Sequence, residues 1–271
     1  MGGNAVVGGG GAGGSGGVGG VPLPDCNNPD VTYIYLMTSS QALYAYKPQS
    51  NQVEYRGQVG CPTFGGSPFS MAVSRIGEGY VVYSDGVLYR VDLTDASCEA
   101  TPFVPNQQGF ETFGMGFALD DDMMGETLYV SDIDYAEQTT KGLGAIDLDT
   151  FELSVEGSLQ NPLGFRIEVT GRGTELYAFI IDGQVGGGHL AEVDKQTGTL
   201  SNIVAVPIGN DIGSWHFAFW GGYFYFFTES NNSGVTQIRR YDPTTMVLEQ
   251  VGTVPEPVVG AGASTCAPAT L

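Results

Sequence analysis

The sequence predicts an all-β fold: a five-bladed β-propeller closed by its own C-terminal strand and preceded by a Gly-rich tether. Three observations carry this. Strand-like stretches recur roughly every 40–50 residues, the period of propeller blades. No segment sustains a helical period of apolar residues. The last stretch, Val258-Val-Gly-Ala-Gly-Ala-Ser-Thr-Cys266, reads as a small-residue strand with no strand after it to complete a sheet. The segment after Cys26 has the rest of a repeat unit and lacks this opening strand. A C-terminal strand that supplies the inner strand of the N-terminal unit closes the ring and leaves no exposed sheet edge at the seam.

The chain opens on a tether, residues 1–24, rich in Gly and without the apolar face a packed element needs. As a random coil it would reach about 25–30 Å. Residues 25–271 form the propeller domain, about 245 residues and enough for a large single core. Inner strands are expected at Phe69–Ser74, Phe113–Ala118, Gly164–Val169, Trp215–Phe219 and the terminal stretch. Second strands are aromatic and β-branched runs: Tyr33–Met37, Tyr80–Asp85, Leu128–Asp132, Leu176–Phe179 and Tyr223–Phe227. Third strands fall at Leu43–Pro48, Leu88–Thr94, Gly144–Thr150, Leu190–Thr197 and Ile238–Thr244. Outer strands are weaker, at Val53–Val59, Ala100–Val104, Leu153–Leu159, Asn202–Val206 and Leu248–Val254. The long third unit leaves open an extra hairpin.

Four third strands end in Asp, at Asp92, Asp147, Asp194 and Asp242, with Lys47 in that place in the first unit. An Asp there accepts backbone N–H bonds in the turn to the outer strand, so these residues are read as turn formers and not as calcium ligands.

Four cysteines with no Cys-x-x-Cys spacing point to disulfides in an oxidising compartment and away from zinc, with four free thiols as the alternative. Ring closure would bring Cys26 to Cys266, a staple worth about 5 kcal/mol in the chain-entropy model. Cys61 with Cys98 follows by elimination.

Thirty acidic residues against ten basic give a formal charge of −20. That field repels nucleic acid and anionic lipid, because both need Lys and Arg to neutralise phosphates, and the alternative is that the acidity only keeps a secreted protein in solution. It is compatible with cations, neutral sugars or basic proteins. No run of apolar residues is long enough for a transmembrane helix.

Ligand sites in propellers sit where loops converge over the channel, here the loops entering inner strands and those joining second to third strands. The binding candidates are Glu111, Arg166, Asp182, Trp215, His216 and Glu229. His216 beside Trp215 suits a general base or a hydrogen-bonded imidazole. Glu111 and Arg166 are expected to meet near the channel mouth. Phe110, Tyr135 and Trp215 are expected to be exposed contact aromatics. Asp132, Asp134 and Glu137 form an oxygen-rich loop that suits Ca²⁺, without the spacing of an EF-hand. No Gly-x-Ser-x-Gly, His-Glu-x-x-His, Walker A or Rossmann pattern occurs in a suitable context.

Pro68-Phe-Ser-Met-Ala-Val73, Ser84-Asp-Gly-Val-Leu-Tyr-Arg-Val91, Phe113-Gly-Met-Gly-Phe117, Phe217-Ala-Phe-Trp-Gly-Gly222 and Val259-Gly-Ala-Gly-Ala-Ser-Thr-Cys-Ala-Pro268 resemble a group of uncharacterised secreted or lipid-anchored propeller proteins of myxobacteria. The resemblance spans residues 26–271. It implies export and a propeller, and no particular activity. The start likewise resembles a mature bacterial lipoprotein whose lipidated cysteine is replaced by Met1, with an expression linker as the alternative. The expectation is therefore an exported, cell-surface binding or assembly module for a glycan, peptide or partner protein. The alternatives are a hydrolase or lyase with a channel-mouth site, and a self-assembling filament or coat subunit that uses the Gly-rich arm.

Overall fold

In the computed structural model, residues 1, 26, 29–181, 187–231 and 233–270 are described; most of the Gly-rich tether and candidate Asp182 lie outside them. The described strands form five four-stranded antiparallel sheets. The first combines β1 (Ile34–Thr38), β2 (Ala42–Lys47) and β3 (Gln52–Gln58) with the last strand, β20 (Val258–Ala263), as its inner member. β20 pairs antiparallel with β1, Tyr35 opposite Gly262, which is the closure expected from the sequence.

Each other blade is continuous in sequence. Blade 2 holds β4 (Pro68–Val73), β5 (Glu78–Tyr83), β6 (Leu88–Asp92) and β7 (Cys98–Ala100). Blade 3 holds β8 (Phe113–Leu119), β9 (Glu126–Asp132), β10 (Leu143–Ile146) and β11 (Leu153–Gly157). Blade 4 comprises β12 (Arg166–Arg172), β13 (Glu175–Ile181), β14 (Gly188–Val193) and β15 (Leu200–Val206). Blade 5 comprises β16 (Ile212–Trp220), β17 (Tyr223–Ser230), β18 (Thr236–Asp242) and β19 (Val247–Val254). The clearest boundary shift is in blade 2, where the outer strand is three residues long and starts at Cys98 instead of Ala100. The long loop of blade 3 forms one bridge, Asp134 to Thr139, and no further strand pair among the described residues.

The core is divided into five layers, one between each pair of neighbouring blades. Alternate residues of each second strand face opposite neighbours. In β17, Phe224 and Phe226 pack toward blade 4, while Tyr225 and Phe227 pack toward blade 1. Both faces of these strands are buried, so they read in sequence as unbroken apolar runs.

The inner strands approach closely because small residues line them. A Cβ on Gly116 would come within 2.3 Å of the Val169 carbonyl oxygen, and one on Gly262 within 2.9 Å of the Ala72 backbone. Two disulfides fasten the ring. Cys26 joins Cys266 with 5.3 Å between Cα atoms, and Cys61 joins Cys98 with 4.9 Å.

Candidate functional site

Four hydrogen bonds put the two candidate loop sets on one face. In four blades, an N–H at the second-to-third strand loop donates to the loop that enters the inner strand. The pairs are Ser39 to Pro257 (2.9 Å), Ser84 to Ser67 (2.8 Å), Ile133 to Thr112 (3.0 Å) and Asn231 to Asp211 (2.9 Å).

On that face the channel mouth opens into a cavity of about 140 Å³, and every blade supplies at least one residue to its wall or floor. Phe69 comes from β4, Tyr135 from the loop of blade 3, Glu168 from β12, Trp215 and His216 from β16, and Val259 from β20. The walls are aromatic. Tyr135 makes edge contacts with Phe69, at 6.4 Å between ring centroids, and with Phe165, at 5.8 Å.

The floor is polar. His216 Nδ1 lies 3.1 Å from Glu168 Oε1, both side chains being more than nine-tenths buried. The approach is an electrostatic contact and not an aligned hydrogen bond. The other carboxylate oxygen, Oε2, accepts from Ser70 Oγ at 3.1 Å, and Ser70 Oγ accepts from the Met115 amide at 3.2 Å. Blades 2, 3, 4 and 5 therefore meet in one polar chain near the axis. Gly114 makes it fit, since a Cβ there would fall 2.7 Å from Glu168 Oε2. With Nδ1 turned to Glu168, Nε2 is the imidazole nitrogen left for the cavity.

The sequence candidates divide on this geometry. Trp215 and His216 line the cavity, although Trp215 is not an exposed contact residue: it is buried within β16, and its Nε1 has no hydrogen-bond partner among the described residues. Arg166 opens β12 and stacks on Trp215, with its guanidinium 5.0 Å from the ring centroid. Its stacking partner is thus Trp215, while Glu111 is exposed on the preceding blade. Phe110 is fully buried between blades 2 and 3, so it is a core residue and not a surface contact. Tyr135 is half exposed, as expected.

Glu229 is buried and holds its own loop: Oε1 accepts the Gly234 amide at 2.8 Å and the Ser233 hydroxyl at 3.3 Å. In the oxygen-rich loop, Asp132 Oδ2 accepts the Lys141 amide (2.9 Å) and Asp134 Oδ1 accepts the Glu137 amide (2.9 Å). Lys141 Nζ also lies 3.5 Å from Asp134 Oδ2. Among the described residues no group of three or more His, Cys, Asp or Glu is arranged to hold a metal ion.

Glu168 and Ser70 are the residues that sequence reasoning passed over. The signal was present: Glu168 is a lone carboxylate inside the apolar run Ile167-Glu-Val169 of an inner strand, where burial of a charge demands partners.

No known family and no curated protein matches the sequence. Solved structures match in fold alone. A nidogen/laminin complex is 11% identical, covering 86% of this chain and 81% of that one with a TM-score of 0.46. The Dos1 propeller is 9% identical (84% and 69%, TM-score 0.46). An oligogalacturonate lyase of Vibrio parahaemolyticus is 14% identical (84% and 68%, TM-score 0.39).

Proposed function

We propose that the protein is an exported binding module that captures its ligand at the channel mouth of the loop-bearing face. The observation that carries this reading is the cavity itself, with rigid aromatic walls over a buried Glu168–His216 floor. Aromatic rings bury area at low entropic cost, and a few fixed polar groups set orientation. The two disulfides support export, since such bonds persist in oxidising compartments.

The test is capture on glycan and peptide arrays by the wild type and by the Tyr135→Ala and Phe69→Ala variants. Ile76→Ser, a substitution of an exposed residue in the hairpin between β4 and β5 on the opposite face, serves as control. Capture lost in the two mouth variants and kept in the control is the expected result. Capture that survives in both mouth variants would sink the reading.

A second reading uses the same residues. An imidazole 3.1 Å from a buried carboxylate brings together the residue types of a general base and its orienting group, without the aligned bond that would fix the ring. Ser70 bonds to Glu168 and not to His216, so it is not set up as an activated nucleophile. Turnover of a captured ligand that disappears in His216→Gln would favour a hydrolase or lyase over a binding module.

A further inference from the structure

We infer that the channel-mouth cavity is a subsite for one uncharged, hydroxyl-bearing ring, a neutral pyranose unit. The inference rests on the binding reading above and names its ligand class.

Size comes first. A cavity of about 140 Å³ is near the volume that accepts benzene and below that of pockets for drug-sized ligands, so it takes one face of a single ring and leaves the rest at the open mouth. Wall chemistry comes second. Tyr135 and Phe69 offer aromatic surface, which suits the C–H face of a sugar ring.

Charge then selects among ring-sized groups. An anionic ring would be brought against Glu168, whose carboxylate is already buried. Among the described residues no lysine or arginine lines the cavity to receive that anion. A cationic group would find both Glu168 oxygens already faced by Ser70 and His216. A ligand hydroxyl donates and accepts at once and so suits both His216 and Ser214, whose Oγ donates to the Val258 carbonyl and keeps its lone pairs to accept.

The probes are the methyl glycosides of glucose, galactose, mannose and N-acetylglucosamine, the corresponding methyl uronides, and short neutral oligosaccharides, read by saturation-transfer NMR and calorimetry. At least one neutral methyl glycoside is expected to bind with a Kd of about 1 mM, an ordinary affinity for a single small ring. Tyr135→Ala should weaken it by about five- to tenfold, the scale of one lost aromatic contact. Tighter binding of an oligosaccharide than of its methyl glycoside would identify a glycan end as the source; equal binding would identify the free sugar. Glu168→Gln should weaken the same ligand. Tyr135 is half exposed, so its variant keeps the test valid if the buried substitution fails to fold.

The inference is overturned if no neutral glycoside binds, if uronides bind as well as neutral sugars, or if Tyr135→Ala leaves affinity unchanged. Peptide capture that is lost in Tyr135→Ala, with no glycoside binding, would overturn the sugar and leave the binding module standing.

Discussion

Asp132 lies almost wholly buried at the end of β9, one oxygen accepting the Lys141 amide. Desolvation raises its pKa, outweighing the amide bond and the nearby Lys141 charge. The unfolded chain therefore gives up this proton at a lower pH than the folded one. Stability linked to the protonated form is complete below the unfolded value, about 3.9, and is lost as pH rises through the higher native value. Asn keeps the acceptor and cannot ionise. Asp132→Asn should gain on the wild type as pH rises from about 4 to 7, measured as urea midpoints across that range. A difference that is flat with pH, or of opposite sign, would refute the assignment. Three turn aspartates, Asp147, Asp194 and Asp242, show the opposite direction. Asp194 is held low by the Thr197 hydroxyl, then by the Thr197 and Gln196 amides, at 2.9, 2.8 and 3.0 Å. Asp92, Asp147 and Asp242 accept the same two turn amides in their blades. They are turn formers, as their spacing indicated.

The turn between third and outer strands is the element repeated most faithfully. Each contains one residue in the left-handed region: Asn51, Ala96, Phe151, Gly198 and Met246. In the last four, that residue's N–H closes a bond to the carbonyl of the turn Asp. Only blade 4 places glycine there. Met246, with φ 59° and a largely exposed side chain, gains little packing to offset the strain. The left-handed conformation costs a non-glycine residue about 1–2 kcal/mol, and glycine's greater unfolded-state freedom takes back about 0.5–1. Met246→Gly should therefore stabilise by up to about 1 kcal/mol, seen as a higher denaturation midpoint at unchanged slope; a lower midpoint would show that Met246 packs more than its exposure implies. The Asp positions were legible in sequence because a side chain that bonds two and three residues ahead is a local matter. The left-handed residue was not, since Ala, Phe and Met give no sign of it.

At the scale of the whole ring, Cys26–Cys266 spans 240 residues and Cys61–Cys98 spans 37. Loop-closure entropy grows with the logarithm of length, giving about 5 kcal/mol for the first and about 4 for the second. The long bond also holds the end of the closing strand, where Thr265 donates to Glu126 of blade 3 (2.6 Å), which also accepts the Arg75 amide of blade 2 (2.7 Å). Replacing Cys26 and Cys266 by Ser should lower thermal stability more than the same change at Cys61 and Cys98, by calorimetry under non-reducing conditions. The reverse order would mean that blade 2, with its three-residue outer strand, depends on its own bond more than the ring does on its clasp.

The sequence by itself determined the number of blades, the donation of the last strand to the first blade, both cysteine pairings and the turn chemistry. Each is a matter of repetition, pairing or short-range bonding, and repetition survives in one dimension. The site was decided by tertiary structure. Ser70 and Glu168 lie 98 residues apart in strands that read as core, and only the rotation of blades about the axis turns those positions inward to meet each other and His216. Burial likewise decided which aromatics remain for a ligand. Phe110 and Tyr135 are alike as loop aromatics in sequence, yet one is enclosed between blades and the other stands at the channel mouth.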